Sequence, residues 1–342
     1  MLVILADDLT GALDTAAPFA ARGLRTEVVL KVGAVAQGLA LSPEVLSINL
    51  ASREGSREEA FQAMRQVLGL LPPQVTLFKK IDSRLKGHIS RELDAISYRR
   101  ALVAPAIPAF ERVVRNGYIE GFGVATPISI ADVLEQHAAR ALIPDALQQE
   151  DLLEVLETAE AGGVDLLVGA RGLAEALACR KTGRADGELV APPVGKGLFV
   201  IGSHDRITVE QAEQLRQLDM VAFNPAPNGI MEPSVPGSAP MILVQATEGE
   251  TRISPQEVSA NLARSVHPRL TSEAQTILLC GGATAEEVLD KMGIECFRLE
   301  GECMPGLGLA HAKGHCIIAK SGGFGQPDTL AKVAGKLDGV RG

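Results

Sequence analysis

The sequence has no tryptophan, and aromatic residues make up only 3% of it. The base-stacking platforms that hold single-stranded nucleic acid therefore have little to be built from. Cations are also short: 33 Lys and Arg face 42 Asp and Glu, a net charge of −9. That balance argues against a broad nucleic-acid or anionic-membrane surface, because both partners would be repelled at long range. No apolar run approaches the roughly 20 residues that span a bilayer, and Met1 leads into strand residues with no basic leader or cleavage site. Cys179, Cys280, Cys296, Cys303 and Cys316 form no CxxC pair and are odd in number, which suits reduced thiols rather than a disulfide frame or a thiolate metal site. These absences predict a cytoplasmic chain, with no nucleic-acid or membrane partner, whose anionic ligands are held in a local cationic pocket.

What remains is globular. Hydrophobic residues are 46% and charged residues 22% of a chain of 342, which favours two domains of ordinary size. It opens "MLVILADDLTGALDTAAPFAARG". Leu2 to Ala6 read as a strand buried on both faces, with Asp7 and Asp8 at its carboxyl end. Thr10 is expected to cap the following helix, whose Leu13, Ala16, Ala17 and Ala20 share one face. Acid thus stands where ligands bind in open α/β sheets, beyond the carboxyl ends of the strands. Either aspartate could orient and deprotonate a hydroxyl or hold Mg²⁺; equally, the pair could do no more than cap the helix.

Strands expected at Leu2 to Ala6, Arg25 to Leu30, Val45 to Asn49, Val75 to Lys80 and Ala101 to Ala104 alternate with helices near 11–22, 56–70 and 88–98. This alternation predicts a mostly parallel sheet, extended by a helix-strand-helix unit over 147–178. The stretch "RKTGRADGELVAPPVGKG", 180–197, lacks periodicity and reads as a linker. Beyond it a strand from Leu198 to Ile201 begins a second half in which one device recurs three times. "GLFVIGSHDRITVEQAEQL", "ILLCGGATAEEVLDKMG" and "CIIAKSGGFGQPDTLAKV" each pass from an apolar strand through a Gly/Ser turn into an amphipathic helix.

The stretch "KKIDSRLKGHISR" brings Lys79, Lys80, Arg84, Lys86 and Arg91 together, opposed only by Asp82, and a helix with Ile89, Leu93 and Ile96 inward is expected from Gly87. In an acidic chain such a reversal suits capture of a small carboxylate or phosphate, although most charged loops are simply solvated. Gly281, Gly282 and Thr284 could hold one phosphate at a helix N-terminus, and Ser321, Gly322, Gly323 and Gly325 another, with Lys320 adjoining. Thr284 with Glu287 and Thr208 with Gln211 also fit capping boxes, which need no ligand. There is no GxxxxGK[ST] and no GxGxxG after a strand with an acid downstream, "GFGVAT" at 121–126 being a poor imitation. His311 and His315 are four apart with Gly314 between them and no third ligand nearby, which reads as loop or helix-end histidines rather than a metal pair.

Taken in order, "ILADDLTGALDTA", "KKIDSRLKGHISRELDA", "APAIPAFERVVRNGY", "VIGSHDRITVEQ", "CGGATAEEVL" and "KSGGFGQPDTL" resemble the signatures of the four-carbon acid sugar kinase family, from residue 3 to residue 330. The resemblance implies an ATP-dependent kinase, working with Mg²⁺, that phosphorylates a hydroxyl of threonate, erythronate or an oxo-tetronate. It implies an α/β protein of two domains, each a mostly parallel sheet flanked by helices, with the active site in the interdomain cleft. Residues 1–185 would take the sugar acid and 196–342 the nucleotide. Asp7 and Asp8 are the implied catalytic carboxylates, with Thr10, Gly11, Lys80, Asp82, Ser83, Arg84, Lys86 and Gly87 on the substrate. Ser203, Thr208, Gly281, Gly282, Ala283, Thr284, Ser321, Gly322, Gly323 and Gly325 would face the nucleotide.

The chain departs from the family pattern at a few positions. The usual KxDSTLRGN has Arg84 for Thr, Lys86 for Arg and His88 for Asn; GGAT stands for GGDT, and Asp205 where Ser is common. The alternative is therefore a member of the same fold that binds sugar acid or nucleotide without transferring phosphate. The partners implied are a small sugar acid and ATP, and a homodimer stays open as the assembly.

Overall fold

The structure, a computed structural model, describes residues 1–232 and 239–339. The chain divides into two compact units, Met1–Glu188 and Leu189–Gly342.

In the first unit, β1 (Leu2–Ala6), α1 (Leu9–Ala20), β2 (Thr26–Val29), α2 (Val35–Ala40), β3 (Val45–Asn49), α3 (Arg57–Leu70), β4 (Thr76–Lys80), α4 (Ile89–Leu93) and β5 (Ala101–Ala104) alternate as expected. There follow β6 (Arg112–Arg115), β7 (Tyr118–Gly121), β8 (Ile128–Ser129), α5 (Ile130–Leu134), β9 (Ala141–Leu142), α6 (Gln149–Ala161), β10 (Leu166–Gly169) and α7 (Arg171–Thr182). The main sheet runs β2-β3-β1-β4-β10-β5-β9, parallel at every step. Every residue of β1, β2 and β3 is buried, polar Thr26, Glu27, Ser47 and Asn49 included, as in strands covered on both faces of a parallel sheet. After β1 the chain turns to one side for β2 and β3 and to the other for β4, so the carboxyl end of β1 is the switch point, the place at which open α/β sheets bind ligands.

Three local expectations need correction. Asp8, not Thr10, is the N-cap of α1, and the helix starts two residues early because the Asp8 side chain accepts from Gly11 N at 2.9 Å. The helix expected over 88–98 stops at Leu93. Asp94 beyond it accepts from Gln136 Nε2 at 2.8 Å and contacts His137 Nε2 at 3.1 Å, while the Tyr98 hydroxyl meets His137 Nδ1 at 2.7 Å, so tertiary partners outbid the next helical turn. Unanticipated is the antiparallel sheet β6-β7-β8, whose first hairpin turns at Asn116 and Gly117, both at positive φ. An Asn-Gly pair favours this turn because both residues accept the left-handed conformation.

The second unit carries β11 (Gly197–Ile201), α8 (Arg206–Leu215), β12 (Val221–Pro227), β13 (Met241–Thr247), α9 (Pro255–Val266), β14 (Thr276–Cys280), α10 (Gly282–Lys291), β15 (Cys296–Met304), β16 (Leu307–Ala312), β17 (His315–Lys320) and α11 (Thr329–Leu337). Its strands lie in the order β12-β13-β11-β14-β17-β16-β15, parallel through β17 and antiparallel over the last two steps. Phe199, Ile201, Leu243, Leu278 and Ile318 pack against Leu330, Val333 and Leu337 of α11. Here β11 is the switch point, with β13 on one side and β14 and β17 on the other. Among the described residues no helix is long and apolar enough to cross a membrane.

Candidate active site

Asp7 and Asp8 stand at the end of β1, and the segment after β3 brings a cation to them. Arg53 Nε and Nη2 hold Asp7 Oδ2 and Oδ1 at 2.8 and 2.9 Å, and Nη1 holds Asp8 Oδ2 at 2.8 Å. Asp82, after β4, has its Oδ2 3.7 Å from Arg53 Nη2. Parallel pairing fixes this meeting: Ala6 is in register with Asn49, and Leu5 with Lys79, so the three strand ends deliver their loops to one place. Burial alone would push the Asp7 carboxyl up, but Lys80, Lys79 and Arg53 outweigh it and bring it to about 2. Burial likewise acts to lower the Arg53 value, and Asp8, Asp7 and Asp82 together raise it instead. Asp7 is thus a fixed anion; Asp8, with a side chain 16% exposed against 3% for Asp7, is the carboxylate that a ligand can reach.

Two glycines permit the crowding. A Cβ on Gly11 would stand 2.5 Å from both Asp8 Oδ1 and Lys80 Nζ, and one on Gly87, at φ +92°, 2.9 Å from Asp7 Oδ2. Thr10 donates its hydroxyl to Asp8 Oδ2 at 2.7 Å. The basic stretch divides by role. Lys79 is a strut, ion-paired with Glu92 at 2.9 Å in the core and bonded to the Leu5 and Lys80 carbonyls; Glu92 in turn accepts from Ser52. Arg91 lies on the surface of α4 with Glu58 and Asp94. Lys80 is buried beside Asp8, while Asp82 Oδ1 accepts from Arg84 N at 2.8 Å and closes the turn. Ser83 is buried and accepts from Arg112; Lys86 and His88 are the outer residues of the loop, with His88 Nε2 2.6 Å from the Gly55 carbonyl.

In the second unit the three Gly/Ser turns follow β11, β14 and β17, which are adjacent, and they converge. A Cβ on Gly322 would stand 2.2 Å from Ser203 Oγ, one on Gly281, at φ +106°, 3.3 Å from Ser203 N, and one on Gly202 1.9 Å from Thr284 Oγ1. Gly323 faces Asp205, and Gly325, at φ +90°, faces Thr329 and Gln211. The turns lead into α8, capped by Asp205, and α10, which begins at Gly282 behind Gly281 with Ala283 exposed in its first turn. Thr208 and Thr284 are not caps. Thr208 is buried within α8 and donates to the Gly322 carbonyl at 2.5 Å, while the Thr284 hydroxyl meets that of Ser259 on α9 at 3.4 Å. Beneath the turns lies Lys320, 1% exposed, bonded to the Ser321 and Gly322 carbonyls at 2.9 and 3.2 Å. Burial pushes its value down. Burial also raises the thiols of Cys280, Cys303, to about 12, and Cys316, to about 11, so all three are protonated at neutral pH. His311 pairs with Glu300 and His315 Nδ1 meets the Ala274 carbonyl, which accounts for both.

Two functional candidates escaped the sequence reading. Arg53 follows β3 in an unremarkable "ASREGS" segment; its only signal was its place beyond a buried strand. Arg112 lies on the hairpin strand β6 and reaches Ser83 from outside the sheet.

Residues 2–128 match the family model described as a sugar-binding N-terminal domain, and 238–330 that of a nucleotide-binding C-terminal domain, together more than half of the chain. The chain is 26% identical to a D-threonate kinase of Cupriavidus necator over 96% of either protein. It is 25% identical to a 3-oxo-tetronate kinase of Haemophilus influenzae, covering 98% of this chain and 99% of that one. A D-erythronate kinase of Heliobacterium modesticaldum is 28% identical over 66% of this chain and 51% of its own. Among solved structures, a Salmonella typhimurium protein superposes with a TM-score of 0.76 at 18% identity, covering 97% of this chain and 98% of that one. A Haemophilus influenzae protein gives 0.69 at 19%, covering 98% and 100%. At those identities the likeness is one of fold.

Proposed function

Because the chain belongs to the four-carbon acid sugar kinase family, we propose that it transfers the terminal phosphoryl group of ATP to a hydroxyl of a four-carbon sugar acid: threonate, erythronate or an oxo-tetronate. The observation that carries this reading is the meeting, at the β1 switch point, of three carboxylates with Arg53 and Lys80. A polyhydroxy acid needs acceptors for its hydroxyls and cations for its carboxylate, and this crevice offers both. Asp8 contacts the attacking hydroxyl and takes its proton as the bond to phosphorus forms; Asp7, held ionised, keeps Arg53 and so Asp8 in place. Lys80, at the end of β4, and Arg84 and Lys86, in the loop after it, face the carboxylate.

ATP lies on the turns at Ser203, Gly281 and Gly322. No side chain caps α10 behind Gly281, so its positive end favours phosphate there, and the glycines of the turns let it approach. Mg²⁺ is usually bound through phosphates and one or two carboxylates, and Asp205, beside Gly323, is the carboxylate that this set of turns supplies. When bound it neutralises phosphate charge. Among the described residues no group of three or more His, Cys, Asp or Glu side chains could hold an ion alone.

The test is ADP release from ATP and Mg²⁺ against both enantiomers of threonate and erythronate and their oxo derivatives. Release that depends on one acid supports the reading. Nucleotide binding without release across the panel would favour the non-catalytic alternative.

A further inference from the structure

Arg112 is 7% exposed, and its partners are neutral: Nη1 donates to Ser83 Oγ at 2.6 Å, and Nε and Nη2 to the Phe122 carbonyl at 3.1 and 2.7 Å. No carboxylate among the described residues lies within ion-pair distance of it; Asp82 and Asp14 act on it only from further off. Burial and the neighbouring Arg84 both work against its charge. Arg84 is equally unmatched, since its guanidinium makes no ion pair or hydrogen bond among the described residues. Both guanidinium groups reach within 4 Å of the point where a Cβ on Gly123, at φ +75°, would stand. Two like charges converging without a counter-ion, one of them desolvated, cost stability unless an anion joins them.

This pair adjoins the carboxylate cluster through one short loop. Asp82 points back to Arg53, Ser83 accepts from Arg112, and Arg84 follows. Along residues 82–84 the crevice thus changes from acceptors of hydroxyl groups to donors for an anion, which is the polarity of a hydroxy acid.

We propose that Arg84 and Arg112, with the Ser83 hydroxyl beside them, are the seat of the acceptor's carboxylate, and that the Phe122–Gly123 turn forms its wall. Guanidinium groups grip a carboxylate through paired hydrogen bonds, so two of them fix the position of the acid's chain and not only its charge. Gly123 is bare because a side chain there would meet Arg112 Nη2 at 3.1 Å and crowd the seat. The inference rests on the sugar-acid reading above but is tested by a separate measurement.

Calorimetric titration of the full chain with each four-carbon acid, for the wild type, Arg84→Gln and Arg112→Lys, reads it directly; Mg-ADP is titrated into the same proteins as control. The expected result is acid affinity weaker by about ten- to a hundredfold in both variants, the loss of a charge-assisted contact, with Mg-ADP affinity unchanged. Acid affinity changed by less than about threefold, an equal loss for Mg-ADP, or no acid bound by the wild type would overturn it. Should Arg112→Lys fail to fold, Arg84→Gln alone decides, because no partner of the Arg84 guanidinium is lost. Acid bound through these arginines without ADP release would leave this seat standing and remove the kinase reading. ADP release with an acid KM indifferent to both arginines would do the reverse.

Discussion

Arg53 grips both oxygens of Asp7, at 2.8 and 2.9 Å, and gives its other terminal nitrogen to Asp8 at 2.8 Å. One guanidinium thus ties the end of β1 to the segment after β3 and sets the orientation of the carboxylate that a ligand can reach. Removing it by Arg53→Ala leaves Asp7 buried with only lysines to face it. We expect an unfolding free energy lower by about 2–4 kcal/mol, measured by urea denaturation. Arg53→Lys keeps the charge but not the fork, and should recover only part of the loss.

The Asp7 carboxyl sits at about 2 in the folded chain, below its ordinary 3.8. A depressed carboxylate contributes stability that is fully present above the unfolded value and disappears as pH falls through the folded one. The difference amounts to about 2 kcal/mol. Asp7→Asn should therefore be less stable than wild type near about pH 7, with the gap closing between about pH 4 and pH 2. A gap constant with pH would show that Asp7 does not carry the linkage.

Asp8→Asn keeps the size of the side chain and an acceptor for Gly11 N but cannot take a proton. Turnover with the acid should fall by about 10²–10⁴-fold while Mg-ADP affinity, read by calorimetry, holds. Unchanged turnover would remove Asp8 from the chemistry.

Lys320 braces the turn after β17 through the Ser321 and Gly322 carbonyls. Lys320→Met removes the brace, so nucleotide affinity should drop about tenfold. Acid affinity should not change. The converse holds for Gly11→Ala, whose Cβ would collide with Asp8 Oδ1 and Lys80 Nζ and should impair the acid side alone.

The parallel framework was legible because buried strands announce themselves as apolar runs: β1, β3 and β5 fall on the expected residues, and the three strand-turn-helix devices appear as β11–α8, β14–α10 and β17–α11. Less legible was what side chains do across elements. Thr208 and Thr284 fit capping boxes by spacing, yet Asp205 and Gly281 take the cap positions and both threonines turn inward. Lys79 and Lys80 are neighbours in a basic run, but strand alternation sends one to Glu92 in the core and the other to Asp8. Arg112 was hidden because the Asn-Gly signal at 116–117 was not read as a hairpin, and only that hairpin carries it to Ser83. Arg53 was invisible for a different reason: its partners lie 46 and 45 residues away, and sequence spacing does not encode which loops a parallel sheet brings together.

The most direct test of the proposed activity is ADP release from ATP and Mg²⁺ in the presence of each four-carbon sugar acid in turn. Release that requires one of these acids, and that Asp8→Asn abolishes, is the expected result. An absence of release with every acid, in a protein that calorimetry shows to bind both ATP and an acid, would contradict phosphoryl transfer and leave a binding protein built on a kinase fold.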